Sequence, residues 1–174
     1  MRLAFVAVAS CFVAALSPLL AGCAPVVAGG SLLPLRPELA DGARVDVITL
    51  SSGWLRSEPD FADTFTEELR EELTLCAAGP RRLNLRVHLD ELQRGERAPG
   101  ATHYLSGVVE FVDPASGAAV GRYLIEAEAG TQNPLAALAA DRQMVVSEAF
   151  GRELCRQAFG RSPEGDPRRR STGH

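Results

Sequence analysis

One stretch decides the fold of this chain, Leu83-Asn84-Leu85-Arg86-Val87-His88-Leu89-Asp90. Every second residue from Leu83 onward is Leu or Val, and the residues between them are polar. A period of two is typical of a β-strand, whose successive side chains point to opposite faces of a sheet. We therefore expect one face of this strand to be buried and the other to lie in water, as in an antiparallel sheet covered on one side.

Upstream of this stretch, the pattern predicts another strand and then a helix. Residues Arg44–Leu50 are rich in β-branched side chains, which favour a strand. Asp60 is a suitable N-cap for the helix, and Gly79-Pro80 is a stop signal. Apolar residues between them recur at helical spacing and form one stripe: Phe61, Phe65, Leu69, Leu73 and Cys76.

Downstream, the pattern predicts a hairpin and a final helix. His103–Val112 and Val120–Ala129 are strands joined by a turn at Asp113–Gly117, where Pro and Gly favour a change of direction. The final helix begins at Asn133-Pro134, an N-cap followed by a proline in the first turn. Its apolar stripe continues toward Ala158.

The order β-α-β-β-β-α predicts an α+β fold. Each of the two helices has one apolar stripe. Both stripes are buried if the helices pack on the same face of a four-stranded, mostly antiparallel sheet. A right-handed crossover joins the first two strands. The two helices then run parallel, with their C-terminal turns at the same end of the sheet.

The N-terminal segment has the layout of an export signal. Arg2 is followed by an uncharged run from Leu3 to Leu20, and Ala21, Gly22 and Cys23 come next. Leu20-Ala21-Gly22-Cys23 resembles a bacterial lipobox. The resemblance implies cleavage before Cys23, a diacylglycerol on its thiol and an acyl chain such as palmitate on the new amine. An uncleaved transmembrane helix is the alternative, but Pro18 disfavours it.

This reading divides the chain into four segments. The stretch after the cysteine contains three prolines and a Gly-Gly pair, which favour a tether. The alternative is that Leu32, Leu33 and Leu35 in this stretch dock on the domain. The polar C-terminal residues favour disorder. The segments are a lipoprotein signal peptide (1–22), a lipidated tether (23–40), an α+β domain (41–160) and a disordered polar tail (161–174).

Location follows by resemblance to enteric lipoproteins. In those proteins an Asp after the lipidated cysteine retains the protein in the inner membrane. Here the residue is Ala24, which implies the outer membrane, with the domain at its periplasmic face.

Cys76 and Cys155 are the cysteines that remain once Cys11 is removed and Cys23 is lipidated. Both fall in the final turns of the predicted parallel helices, and the periplasm is oxidising. A disulfide between them is therefore predicted. Two buried free thiols are the alternative.

Catalytic motifs are not evident. The chain has no Gly-x-Ser-x-Gly elbow, no His-Glu-x-x-His, no phosphate-binding glycine loop and no Cys-x-x-Cys. We therefore expect no enzymatic activity, no metal and no cofactor other than the lipid on Cys23. A net charge of −4 without a basic, aromatic-studded face argues against nucleic-acid binding.

The uncovered face of the sheet is the candidate functional surface. Apolar residues among charged ones are suited to docking on a protein partner. The residues expected to form a partner face are Arg86, His88, Tyr104, Val108, Arg122 and Leu124.

A family resemblance gives this surface a role. The lipobox, the short tether, the strand order and the stretch Asn133–Asp141 resemble the lipopolysaccharide-assembly lipoprotein of the outer membrane, and the Phe111–Gly121 hairpin is loosely similar. Auxiliary lipoproteins of envelope ABC transporters share the outline. The chain departs from the first family at Thr131-Gln132 and Ala24-Pro25.

The resemblance implies a non-catalytic accessory subunit for lipid or lipopolysaccharide transport or for outer-membrane assembly. An outer-membrane barrel or an ABC-transporter component is then the expected partner, in addition to the membrane that holds the lipid anchor. A free-standing structural or ligand-binding lipoprotein is the alternative.

Overall fold

The computed structural model describes residues 29–55, 58–95, 102–130 and 142–161. The predicted signal peptide, the lipobox Leu20–Cys23 and the predicted helix start at Asn133-Pro134 lie outside the described residues. So does the predicted polar tail, apart from Arg161. Within the described ranges, no helix has both the length and the apolar character needed to cross a membrane.

The described chain folds into one mixed sheet and three helices. The strands are β1 (Gly30–Leu33), β2 (Ala43–Ser51), β3 (Arg81–Gln93), β4 (Thr102–Val112) and β5 (Ala119–Gly130), and the helices are α1 (Pro37–Gly42), α2 (Pro59–Cys76) and α3 (Arg142–Phe159). The strand order is β1-β5-β4-β3-β2. The β2–β3 pair is parallel, and the other three pairs are antiparallel. The α+β class is thus confirmed.

The predicted count of four strands and two helices is too low. Strand β1 and helix α1 form from the end of the stretch that the sequence favours as a tether. Pro34 does not prevent this because β1 is an edge strand of only four residues that ends before it. It pairs with β5, and the two strands are antiparallel.

Leu35 holds this N-terminal addition against the domain. Its side chain is buried, and its backbone N–H donates to the Tyr123 hydroxyl at 2.7 Å. Burial raises the pKa of Tyr123, and the hydrogen bond from Leu35 acts in the opposite direction. Of the three leucines considered for docking, only Leu35 docks in this way, because Leu32 and Leu33 are exposed.

Helix α2 confirms the predicted stripe but not the predicted cap. The five stripe residues are all buried. The helix begins at Pro59, so Asp60 lies in its first turn, and Glu58 is the N-cap residue without a side-chain cap hydrogen bond. The Asp60 prediction was wrong because Pro59, with its fixed φ, takes the first helical position itself.

Helices α2 and α3 pack together on one face of the sheet. Phe65 of α2 and Phe150 of α3 meet edge-to-face with ring centroids 5.2 Å apart. Gly151 explains how closely the helices approach, since a Cβ there would lie 2.8 Å from the Cβ of Glu72. A glycine that costs helix stability is therefore required by the packing.

The predicted disulfide is confirmed. Cys76 and Cys155 are bonded, their Cα atoms are 5.8 Å apart, and both side chains are buried. Because the bond joins the last turn of α2 to the last part of α3, both helices end at the same end of the sheet. Arg161 donates to the Cys76 carbonyl at 3.0 Å and adds a further link at this end.

Removing the disulfide should lower stability without changing the fold. The bond spans 79 residues, and loop closure of that length contributes about 4 kcal/mol in the chain-entropy model, usually an upper figure. We expect Cys76→Ala with Cys155→Ala to lose about 2–4 kcal/mol in urea unfolding followed by circular dichroism. Dithiothreitol should destabilise the wild type and leave the double variant unchanged. An unchanged midpoint in the double variant would contradict the prediction.

A candidate partner-binding face

The face of the sheet turned away from α2 and α3 carries a row of charges. Register places Arg86 opposite Glu110, and Glu110 opposite Arg122. We call these three residues the ionic row. Arg122 donates to Glu110 across the β4–β5 pair. Opposite charges on adjacent strands contribute about 0.2–1 kcal/mol per pair, so the row also supports the strand register.

A second row lies beside the first. His88 is opposite Val108, and Val108 is opposite Leu124. We call these the apolar row, because two of its three members are aliphatic and only partly buried. Adjacent ionic and apolar rows give a surface of mixed character, which is typical of protein interfaces.

The structure therefore brings together five of the six residues predicted for the partner face. Tyr104 is apart from them. It lies opposite Glu128 and four residues along β4 from Val108, which corresponds to about 13 Å. Strand alternation also places Ser106 on this face, between Tyr104 and Val108, but Ser106 is buried. Its neighbours across the strands are Glu91 and Glu126, whose longer side chains flank the small serine.

His88 also contacts a serine that the sequence pattern does not reveal. Ser51 Oγ lies 3.1 Å from His88 Nδ1, and His88 Nε2 lies 3.6 Å from an Asp90 carboxylate oxygen. The parallel β2–β3 register places Ser51 beside His88. Strand order alone does not give that register, and so the sequence offered no signal for the pair.

This Ser-His-Asp group does not have the setting of a nucleophilic triad. Ser51 Oγ lies within hydrogen-bond distance of the Val87 carbonyl, at 3.3 Å, as well as of the His88 imidazole. The side chains of His88 and Asp90 are 58% and 47% exposed. Charges in that setting are weakened by water, whereas a catalytic group needs a pre-organised and desolvated site.

A second histidine, His103, faces the other way. His103 is buried, and its Nδ1 accepts a hydrogen bond from the Gly95 N–H at 3.2 Å. His88 and His103 therefore do not converge on one ion. Among the described residues, no group of three or more His, Cys, Asp or Glu side chains is placed to hold a metal.

Comparison with known proteins gives weak structural likenesses. No known protein family and no curated protein matches the sequence. The PelC dodecamer from Paraburkholderia phytofirmans, in two crystal forms, is 16% identical with TM-scores of 0.47 and 0.46, covering 75% of this chain and 96% and 99% of PelC. A "putative lipoprotein" from Caulobacter crescentus is 22% identical with a TM-score of 0.37, covering 62% of this chain and 84% of its own. These values assign neither a family nor a function to the chain.

Neighbouring valines test which face of β4 is open. Val109 is fully buried, whereas Val108 belongs to the apolar row. Val109→Glu places an unpaired carboxylate in the core and should destabilise the domain by more than about 3 kcal/mol. Val108→Glu should cost less than about 1 kcal/mol. Urea unfolding of both variants measures the difference, and equal losses would contradict the assignment of the two faces.

Proposed function

We propose that this chain is a lipid-anchored envelope lipoprotein that has no catalytic activity and docks on a larger subunit through its open sheet face. The observation that carries the proposal is the sequence Leu20-Ala21-Gly22-Cys23 at the end of an uncharged N-terminal run. Cys23 is the attachment point for diacylglycerol and for an N-linked acyl chain such as palmitate. More than one acyl chain is what stable attachment requires.

The disulfide supports export from the cytoplasm. Cys76 and Cys155 are bonded in the core of the domain. Such bonds form and persist in oxidising compartments such as the periplasm and are rare in the reducing cytosol. An exported, lipidated protein would meet that condition.

The open face supports the docking role. The ionic and apolar rows lie together and are left uncovered by α2 and α3. The side chains of His88 and Asp90 in the Ser51–His88–Asp90 group are exposed to water, which favours a binding role over an enzymatic one. A domain of this kind suits an accessory subunit in lipid or lipopolysaccharide transport or in outer-membrane assembly. Its partner would be an outer-membrane barrel or an ABC-transporter component.

Ala24 favours the outer membrane, at the periplasmic face, as the place where the anchor is inserted. A free-standing structural or ligand-binding lipoprotein is the second candidate. It shares the anchor and the location but needs no partner on the open face. The two candidates therefore differ in what the ionic and apolar rows contact.

Metabolic labelling tests the anchor. Wild-type protein expressed in a bacterium that processes lipoproteins should incorporate radiolabelled palmitate and sediment with the membranes. Cys23→Ala should incorporate none, because the acceptor thiol is gone. Cys11→Ala is the matched control and should label like the wild type, since Cys11 lies in the segment removed. Equal labelling of Cys23→Ala and wild type would overturn the proposal.

Affinity purification from detergent-solubilised envelopes tests the docking face. The wild type should recover a membrane subunit, and Val108→Glu should recover it at least about tenfold less, a loss of about 1.4 kcal/mol. Thr74→Glu adds the same charge to an exposed position on α2 and should leave recovery unchanged. If the wild type recovers no subunit, the docking role fails and the free-standing candidate replaces it.

A further inference from the structure

Two of the three most exposed large apolar side chains of the described residues lie together at one edge of the sheet. The three are Leu32, Leu33 and Val47, with exposed fractions of 60%, 44% and 51%. A single exposed leucine needs no explanation. Leu32 and Leu33, however, are consecutive and lie on the edge strand β1, which follows the predicted lipidation site directly in the chain.

The register of β1 accounts for both exposures. Ser31 pairs with Tyr123 and Leu33 pairs with Arg122, which leaves Leu32 as an extra residue between two pairs on β5. A bulge of this kind redirects a side chain away from the regular pleat. Leu33 lies beside Arg122 on the open face, and Leu32 has no cross-strand neighbour.

Chain length limits how far this edge is from the anchor. Five residues separate Cys23 from Gly29, and an extended chain of that length spans about 20 Å. Gly29 leads directly into β1. With lipid on Cys23, the edge that carries the two leucines is therefore held near the bilayer surface.

A cavity of about 460 Å³ adjoins Leu33 at the end of β1. Leu33 and Leu39 contribute apolar walls, and Arg36 and Glu38 contribute charges of both signs. Arg81 also lines the cavity, and its guanidinium is paired with Asp113 at 3.3 Å. Guanidinium groups bind phosphate strongly, and a carboxylate attracts an ammonium group. The charge pattern is thus complementary to a zwitterionic phospholipid headgroup such as phosphatidylethanolamine, which carries both groups.

We propose that Leu32 and Leu33 enter the headgroup region of the bilayer and that the adjoining cavity receives a phospholipid headgroup. The inference rests on the proposed lipid anchor and extends it. The anchor limits the distance between domain and membrane, and the exposed leucines set which edge of the domain faces the lipid. The docking face is then held side-on to the membrane, because β1 is an edge strand.

Site-specific fluorescence tests this orientation. The full-length lipidated protein would carry Leu32→Cys labelled with the environment-sensitive probe NBD, in vesicles of phosphatidylethanolamine and phosphatidylglycerol with or without doxyl-labelled lipid. Val47→Cys is the matched control. It is similarly exposed but lies on β2 at the opposite edge, four strand spacings or about 19 Å away. Flotation of the vesicles reports anchoring separately.

The expected result is at least threefold stronger doxyl quenching at position 32 than at position 47, with both proteins floating with the vesicles. If both float and the two probes are quenched equally, the orientation is wrong and the anchor stands. A probe at position 32 that is shielded from water but not quenched by doxyl lipid means that protein covers this edge, which also overturns the inference. Failure to float removes both the anchor and the orientation.

Discussion

Burial of a single face of the sheet beneath α2 and α3 is the constraint on which the rest of the structure depends. Leu85, Val109 and Ile125 are fully buried on three adjacent strands. The helices that cover them meet through Phe65 and Phe150 and approach closely at Gly151. The disulfide joins the helix ends, so the two covering elements are linked covalently as well as by packing. The ionic and apolar rows on the opposite face are consequently left uncovered by the helices.

The sequence predicts those parts of the fold in which apolar residues recur with a clear strand or helix period. The alternation from Leu83 to Leu89 and the helical stripe from Phe61 to Cys76 each carry their own signal, and both are present in the structure. The disulfide was predicted from the alternating directions of successive strands and helices. These directions make the two helices parallel, so their final turns lie at the same end of the sheet. None of these conclusions needed the register of one strand against another.

The features that were not predicted from the sequence depend either on the register between strands or on neighbouring residues that compete for the same position at a helix start. Strand β1 has four residues and no alternation, and it is defined by its pairing with β5 and by Leu35 bonding to Tyr123. Ser51 reaches His88 only through the parallel β2–β3 pair. The start of α2 was decided by Pro59, whose preference for the first turn displaced the expected cap.

The antiparallel pairing of β1 has a mechanical consequence. In the proposed anchored form, tension between the membrane and a bound partner would enter the domain at Gly29 and act first on a strand with three paired positions and a bulge. Strand β1 would detach before force reached the disulfide-linked helices. Its release would lengthen the tether and leave the interior of the domain folded. The protein would therefore extend under tension by losing one edge strand, while the rest of the domain stays folded.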